Sequence, residues 1–128
     1  MAHPNADLIR RGFEAFATQD MATLDELLAD DVKWHSTGRA PFAGDVDGKQ
    51  ALFANWATIP GHVDSFRQDI HAIVADDEHA VAMVNVEMTR GDRSFTGPSI
   101  VVFHVAEGKA TEAWVVGVDQ AAEDAFWH

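Results

Sequence analysis

The chain has 128 residues, no cysteine and a formal net charge of −12 at pH 7. Such an acidic surface repels nucleic-acid phosphates and anionic lipids, so we expect neither a nucleic acid nor a membrane as a partner. The lack of cysteine excludes disulfides and thiolate metal sites, while 47% apolar residues indicate one globular domain over residues 1–128. No apolar signal segment begins the sequence, which favours a cytoplasmic protein.

The first half of the chain is predicted to hold three helices. Asn5, Asp20 and Asp47 are candidate N-terminal caps, because short polar side chains accept hydrogen bonds from the first free amides of a helix. An extended piece is predicted at 32–35, and the Gly-, Pro- and Asp-rich stretch 39–48 is predicted as a loop. The inward positions at helical spacing are Leu8, Ile9, Phe13 and Phe16, then Leu24, Leu27 and Leu28, then Ala51, Leu52, Trp56 and Ile59.

The second half of the chain is predicted to be a sheet. Turns at 75–79, 90–93 and 106–109 separate four extended runs of roughly ten residues each, the pattern of an antiparallel meander. The run 80–88 is partly apolar on both of its faces, whereas a sheet with one wet face alternates more cleanly. We therefore expect helices to cover one face and a second subunit to cover the other. A short terminal helix is predicted at 119–127, which completes an α+β domain with a deep pocket between its layers.

Three segments carry a family resemblance. The stretches "ELLADDVKWHSTG", "FAGDVDGKQALF" and "VAEGKATEAW" resemble, in order, the signature segments of SnoaL-like proteins in the nuclear transport factor 2-like superfamily. The resemblance implies a cone-shaped α+β barrel, in which a curved, mostly antiparallel sheet wraps around three N-terminal helices and a short C-terminal helix follows. It also implies a homodimer through the outer face of the sheet. Isomerases, polyketide cyclases, dehydratases, epoxide hydrolases and binding domains share this fold, so the fold alone does not define a reaction.

The same resemblance names candidate catalytic residues. Similarity to the polyketide cyclases implies that His104, Trp114 and Asp119 face the substrate, with Asp119 as the acid–base group of a ring closure. Asp119 follows Trp114 by five residues, where four is the usual spacing. Similarity to ketosteroid isomerase places His35 about where that enzyme has its aspartate base. The tyrosine of that enzyme has no counterpart, because Gly12 or Phe13 stands at its position and the chain contains no tyrosine.

Two interpretations of Asp119 follow from strand geometry. Residues five apart on a regular strand lie on opposite faces, so Asp119 would point away from Trp114. A β-bulge at Gly117 reverses the alternation and would return Asp119 to the face of Trp114. Without that bulge, Asp119 is well placed to cap the last helix.

The expected ligand is apolar and cyclic. Large apolar side chains are the candidate substrate-binding residues, namely Trp34, Trp114, Phe13, Phe16, Trp56 and Met83. No metal site and no cofactor are expected, because the sequence has no HExxH motif and Asp69 and His71 share a strand face without a third ligand.

The function favoured by these observations is a cofactor-independent enzyme that performs acid–base chemistry on an apolar cyclic or polyketide-like molecule in a deep pocket. The reaction would be a cyclisation, isomerisation or dehydration, with Asp119 as acid–base group and His104 or His35 assisting. One alternative is a non-catalytic small-molecule binding or accessory domain with the same fold. Another is an epoxide-opening hydrolase or cyclase, which would pair Arg67 or Arg90 with an inward acid.

Overall fold

Four α-helices, a short 3₁₀ helix and six β-strands make up residues 3–127, which the computed structural model describes. Within these residues, no helix has both the length and the apolar composition needed to cross a lipid bilayer. In chain order the elements are α1 (Pro4–Thr18), α2 (Met21–Leu27), β1 (Leu28–Ser36), β2 (Gly44–Asp47), α3 (Lys49–Ala57), the 3₁₀ helix (Ile59–Gly61), β3 (Ser65–Ala75), β4 (His79–Arg90), β5 (Arg93–Ala106), β6 (Lys109–Gly117) and α4 (Gln120–Phe126).

The starts of the first three helices test the predicted caps. Asp20 caps α2 as predicted, with its carboxylate accepting from the amide of Thr23. The prediction for Asn5 is wrong, because the His3 ring accepts from the Asn5 amide and caps α1 two residues earlier. The prediction for Asp47 is also wrong, since Asp47 is the last residue of β2 and Gly48, at φ 92°, holds the cap position of α3.

The sheet confirms the α+β class and the four long strands of the second half. Its strand order is β2-β1-β6-β5-β4-β3, and it is curved but not closed into a barrel. Strands β1 and β6 run parallel, whereas the other neighbours are antiparallel, so the sheet is mixed. β2 lies in the stretch predicted as a loop, where it pairs with the end of β1.

The core lies between the helices and the inner face of the sheet. Along β4 the buried residues alternate strictly with more exposed ones, as expected for a strand covered on one side. Four side chains in this core, Leu52, Val32, Val84 and Val101, are almost completely buried. The outer face also carries apolar side chains, and Val74 and Val116 are 57% and 41% exposed there. The predicted homodimer through this face stays a prediction.

Lys49, the first residue of α3, links this helix to α2 and β1. Its ammonium group lies 2.9 Å from Asp25 Oδ1 and 2.8 Å from Asp30 Oδ1, and its side chain is only 9% exposed. Hydrogen bonds to Asp30 and Asp25 raise the pKa of Lys49, so the ammonium stays charged in this position. The pairing ties α3 to α2 and β1 and thereby orients the face of α3 that meets the sheet.

Candidate functional site

An inner cavity of about 130 Å³ lies between the helices and the inner face of the sheet. Its walls come from every layer of the fold, because α1, α2 and α3 cover one side and β1, β3, β5 and β6 form the other. Among the described residues that line it, none has a titratable side chain. The lining consists of Leu8, Ile9, Gly12, Phe13, Phe16, Leu24, Leu27, Leu28, Trp34, Ser36, Phe42, Asn55, Trp56, Ile59, Phe66, Gln68, Val101, Phe103, Ala110 and Val115.

An outer groove of about 810 Å³ adjoins the inner cavity and shares seven lining residues with it. Phe16, Trp56, Phe66 and Gln68 are among the shared residues, so they form the boundary between the two spaces. Asp64, Arg67 and the 45%-exposed Met21 line the groove but not the cavity. The site is therefore a mostly apolar inner compartment that continues into a wider and more polar outer one.

Aromatic rings form much of the cavity wall, and they hold each other in place. The rings of Trp34 and Trp56 meet edge to face with centroids 5.2 Å apart, and Phe16 meets Trp56 in the same way at 5.2 Å. Phe13 packs edge-on against Phe103 at 6.3 Å. Such contacts are favoured by the ring quadrupoles and restrict the rotamers of the rings. Four predicted wall residues, Trp34, Trp56, Phe13 and Phe16, thus line one cavity.

Three uncharged polar side chains in the cavity were missed by the sequence analysis. They are Ser36 on β1, Asn55 on α3 and Gln68 on β3. The signal was present, because each stands at an inward position of an otherwise apolar pattern: Gln68 lies between Phe66 and Ile70, and Asn55 precedes Trp56. A polar residue at such a position needs a partner, and a bound ligand can provide one.

The predicted residues His35, His104, Trp114 and Met83 are not part of the cavity wall. They lie on the outer face of the sheet, because their strand positions alternate with the inward ones; His35 follows the inward Trp34 directly. His35 stacks on Trp114 with ring centroids 5.5 Å apart, and His104 meets Trp114 edge-on at 4.8 Å. The structure therefore brings the two histidines together around Trp114, but on the far side of the sheet from the cavity.

His35 is held between two carboxylates on this outer face. Its Nδ1 lies 2.8 Å from Asp45 Oδ1 and its Nε2 lies 2.7 Å from Glu112 Oε2. The hydrogen bonds to Asp45 and Glu112 raise the pKa of His35 above its usual value. The imidazolium form is therefore stabilised in the folded protein.

This raised pKa makes a pH-dependent contribution to folding. The contribution is complete below the ordinary histidine pKa of about 6.5 and is lost as the pH rises through the folded-state pKa. In urea titrations from about pH 5.5 to about pH 8.5, we expect the stability difference between the wild type and His35→Gln to shrink steadily. A difference that stays constant or grows with pH would contradict the pairing.

Asp119 is the cap of α4, and the predicted bulge at Gly117 is wrong. The ladder between β5 and β6 is unbroken from Glu112 to Gly117, and its irregularity falls instead at Thr111. β6 ends at Gly117, and the Asp119 carboxylate accepts from the amide of Ala122 at 3.1 Å. Asp119 is exposed and does not line the cavity.

Removal of this cap is expected to cost about 1 kcal/mol of folding free energy. Asp119→Ala deletes the acceptor for the Ala122 amide, whereas Asp119→Ser keeps an oxygen within reach and serves as the matched control. Urea denaturation of the three proteins measures the difference. Equal losses in both variants would mean that the side chain stabilises the protein by something other than capping.

Across residues 3–127, no three His, Asp or Glu side chains are grouped so that they could hold an ion. Asp69 instead makes a two-point contact with Arg67, at 3.1 Å and 3.0 Å.

Comparisons with known proteins relate this geometry to a family. The SnoaL-like domain family matches residues 9–113. The solved structure of Bal32a, from a soil-derived mobile gene cassette, is similar with a TM-score of 0.91 and 29% identity, covering 99% of this chain and 98% of that one. TerC, co-crystallized with polyporic acid, is similar with a TM-score of 0.84 and 18% identity, covering 98% and 100%. IdmH of Streptomyces antibioticus, a proposed polyketide cyclase, has a TM-score of 0.79 and 20% identity, covering 98% and 99%. The likeness to TerC and IdmH concerns the fold alone.

Proposed function

The chain belongs to the SnoaL-like domain family, and we propose that within this family it is a small-molecule-binding domain whose inner cavity encloses one ring of an uncharged ligand. The observation that carries the proposal is the chemistry of the lining, which is aromatic and aliphatic apart from Ser36, Asn55 and Gln68. A charged ligand would lose its hydration in such a cavity without gaining an opposite charge. An uncharged ring loses only unfavourable contact with water.

The size of the cavity supports a single ring. A cavity of about 150 Å³ lined by apolar side chains is known to take up benzene in another protein, and the cavity here has a volume of about 130 Å³. The remainder of a larger ligand would lie in the outer groove, beyond the boundary formed by Phe16, Trp56 and Phe66. TerC, which has the same fold, was co-crystallized with polyporic acid.

Binding of simple ring compounds tests this function. In titrations of the full chain followed by NMR amide shifts, we expect toluene to perturb residues around the cavity and benzoate to bind roughly 100-fold more weakly, because its charge must be desolvated. The amides of Gly12 and Val115 report on the cavity, and that of Val74 on the outer face of the sheet serves as control. Binding of benzoate as tight as that of toluene, or a failure of uncharged ring compounds to bind at all, would overturn the proposal.

An acid–base enzyme is the second candidate, and Glu123 is the observation that favours it. Glu123 on α4 is half-buried, and burial raises the pKa of its carboxyl group. The carboxylate lies over Gly117, two residues beyond the cavity-lining Val115 on the same face of β6. A carboxyl group with a raised pKa is suited to moving a proton next to a carbonyl.

Exchange of the α-hydrogens of cyclohexanone in D₂O tests this second candidate. If the enzyme reading holds, the wild type accelerates the exchange and Glu123→Gln loses at least about 100-fold of that rate. Asp119→Asn, which changes an exposed carboxylate on the same stretch of chain, is the matched control and should retain the rate. No acceleration by the wild type would exclude this candidate for cyclic ketones.

A further inference from the structure

The side-chain amide of Asn55 donates a hydrogen bond through its nitrogen, whereas its oxygen accepts none from the residues that the structure describes. Its Nδ2 donates to the carbonyl oxygen of Phe42 at 2.9 Å, which fixes the orientation of the side chain because a carbonyl can only accept. Its Oδ1, by contrast, accepts no hydrogen bond from any residue between His3 and Trp127. The cavity therefore contains an oriented acceptor that lacks a donor.

Asn55 belongs to the part of the cavity wall that does not border the outer groove. Asn55, Ser36 and Phe42 line the cavity but not the groove, whereas Gln68 and Trp56 line both. Asn55 bonds to the backbone of Phe42, and Ser36 directly precedes the loop that carries Phe42. The hydroxyl of Ser36 also has no partner within the described chain, and it can donate or accept.

We propose that Asn55 selects ligands whose enclosed ring carries a hydroxyl group, that is, a phenol or a cyclic alcohol. This proposal rests on the binding function proposed above and specifies its ligand class. The hydroxyl group enters the cavity first and donates to Asn55 Oδ1, while its own oxygen accepts from Ser36. Substituents elsewhere on the ring point toward Gln68 and extend into the outer groove. A ring without the hydroxyl excludes water from Asn55 Oδ1 but supplies no donor in its place. An acceptor left unpaired in a site of low polarity costs free energy, so such a ring binds more weakly.

Three single-ring compounds, phenol, anisole and toluene, distinguish the binding function from the selection by Asn55. We expect the wild type to bind phenol at least about tenfold more tightly than anisole, which has the same oxygen but no donor. Toluene gives the affinity of the ring alone. If none of the three binds, both the binding function and the selection by Asn55 fail. If all three bind with equal affinity, the binding function stands and the selection by Asn55 is overturned.

Two variants test whether Asn55 causes the preference for phenol over anisole. Asn55→Leu keeps the approximate volume and removes the acceptor, so we expect phenol to bind it no better than anisole. Toluene should bind it at least as tightly as it binds the wild type, because no acceptor is then left unpaired. Ser36→Ala is the matched comparison, and it should keep at least about threefold preference for phenol, because the donor–acceptor pair with Asn55 remains. Loss of the preference in Ser36→Ala but not in Asn55→Leu would overturn the assignment. The phenol-to-anisole ratio of the wild type decides the hydroxyl preference even if Asn55→Leu does not fold.

Discussion

Gly12→Leu is expected to weaken the binding of toluene at least about 100-fold while making the protein more stable. Gly12 lies inside α1 and lines the cavity, and a Cβ added there would have Leu27 Cδ1, at 4.0 Å, as its near neighbour. The added side chain can therefore extend into the space that a ligand ring would occupy. Complete burial of one ring gains about 3 kcal/mol, which corresponds to roughly 100-fold in Kd.

The stability of the same variant changes in the opposite direction. Glycine in the interior of a helix is about 1 kcal/mol less favourable than alanine or leucine, so Gly12→Leu should raise the Tm by about 4 °C. Gly12→Ala is the matched control: it brings the same gain in helix stability but leaves most of the cavity open, so it should still bind toluene. Calorimetry and NMR titration measure the two effects separately. A Gly12→Leu protein that binds toluene normally would mean that the ring binds elsewhere.

Leu52→Ala is expected to have the converse effect, a loss of about 3 kcal/mol of folding free energy with little change in ligand affinity. Leu52 is fully buried on α3 and belongs to the main apolar cluster, yet it does not line the cavity. Truncation removes packed methyl groups and leaves a void that close-packed neighbours fill only partly. The toluene Kd of the folded molecules should stay within about threefold of the wild type.

Val118→Ala is the control for this loss. Val118 is 57% exposed, so its truncation removes methyl groups without opening a void and should cost less than about 0.5 kcal/mol. Urea denaturation of both variants measures the difference. A loss below about 1 kcal/mol for Leu52→Ala would show that α3 is not packed as tightly on the core as the structure has it.

Much of the fold could be predicted because it depends on periodicity. Helical spacing of apolar residues identified α1, α2 and α3, and turn residues marked the ends of the four long strands. β2 was missed because Gly44–Asp47 has no apolar alternation of its own and becomes a strand only by pairing with β1. The parallel contact between β1 and β6 was also missed, since it joins segments far apart in the sequence and no local pattern reports it.

The candidate site was harder to predict, because the alternation of side chains along a strand does not show which face of the strand is inward. The aromatic residues Phe13, Phe16 and Trp56 of α1 and α3 face inward as their helical spacing predicts, because the apolar residues of such a helix lie on one side. His104, Trp114 and Met83 stand on strands with apolar residues on both faces, so the pattern does not tell which face is inward. Asn55 was not predicted, because a neutral amide carries no catalytic or metal-binding signature, although it stands among the inward apolar residues of α3.

The parallel pairing of β1 with β6 also sets the order in which the cavity can be completed. Trp34 lies beside Ala113, and Ser36 lies beside Val115, so one wall of the cavity joins two strands that are far apart in the sequence. During synthesis, β1 can pair with β2 early, but its second neighbour, β6, is made only after α3, β3, β4 and β5. Contacts between such distant segments close large loops and therefore form late in folding. Until then the cavity lacks the wall that Ala110 and Val115 of β6 supply, so the cavity is completed late.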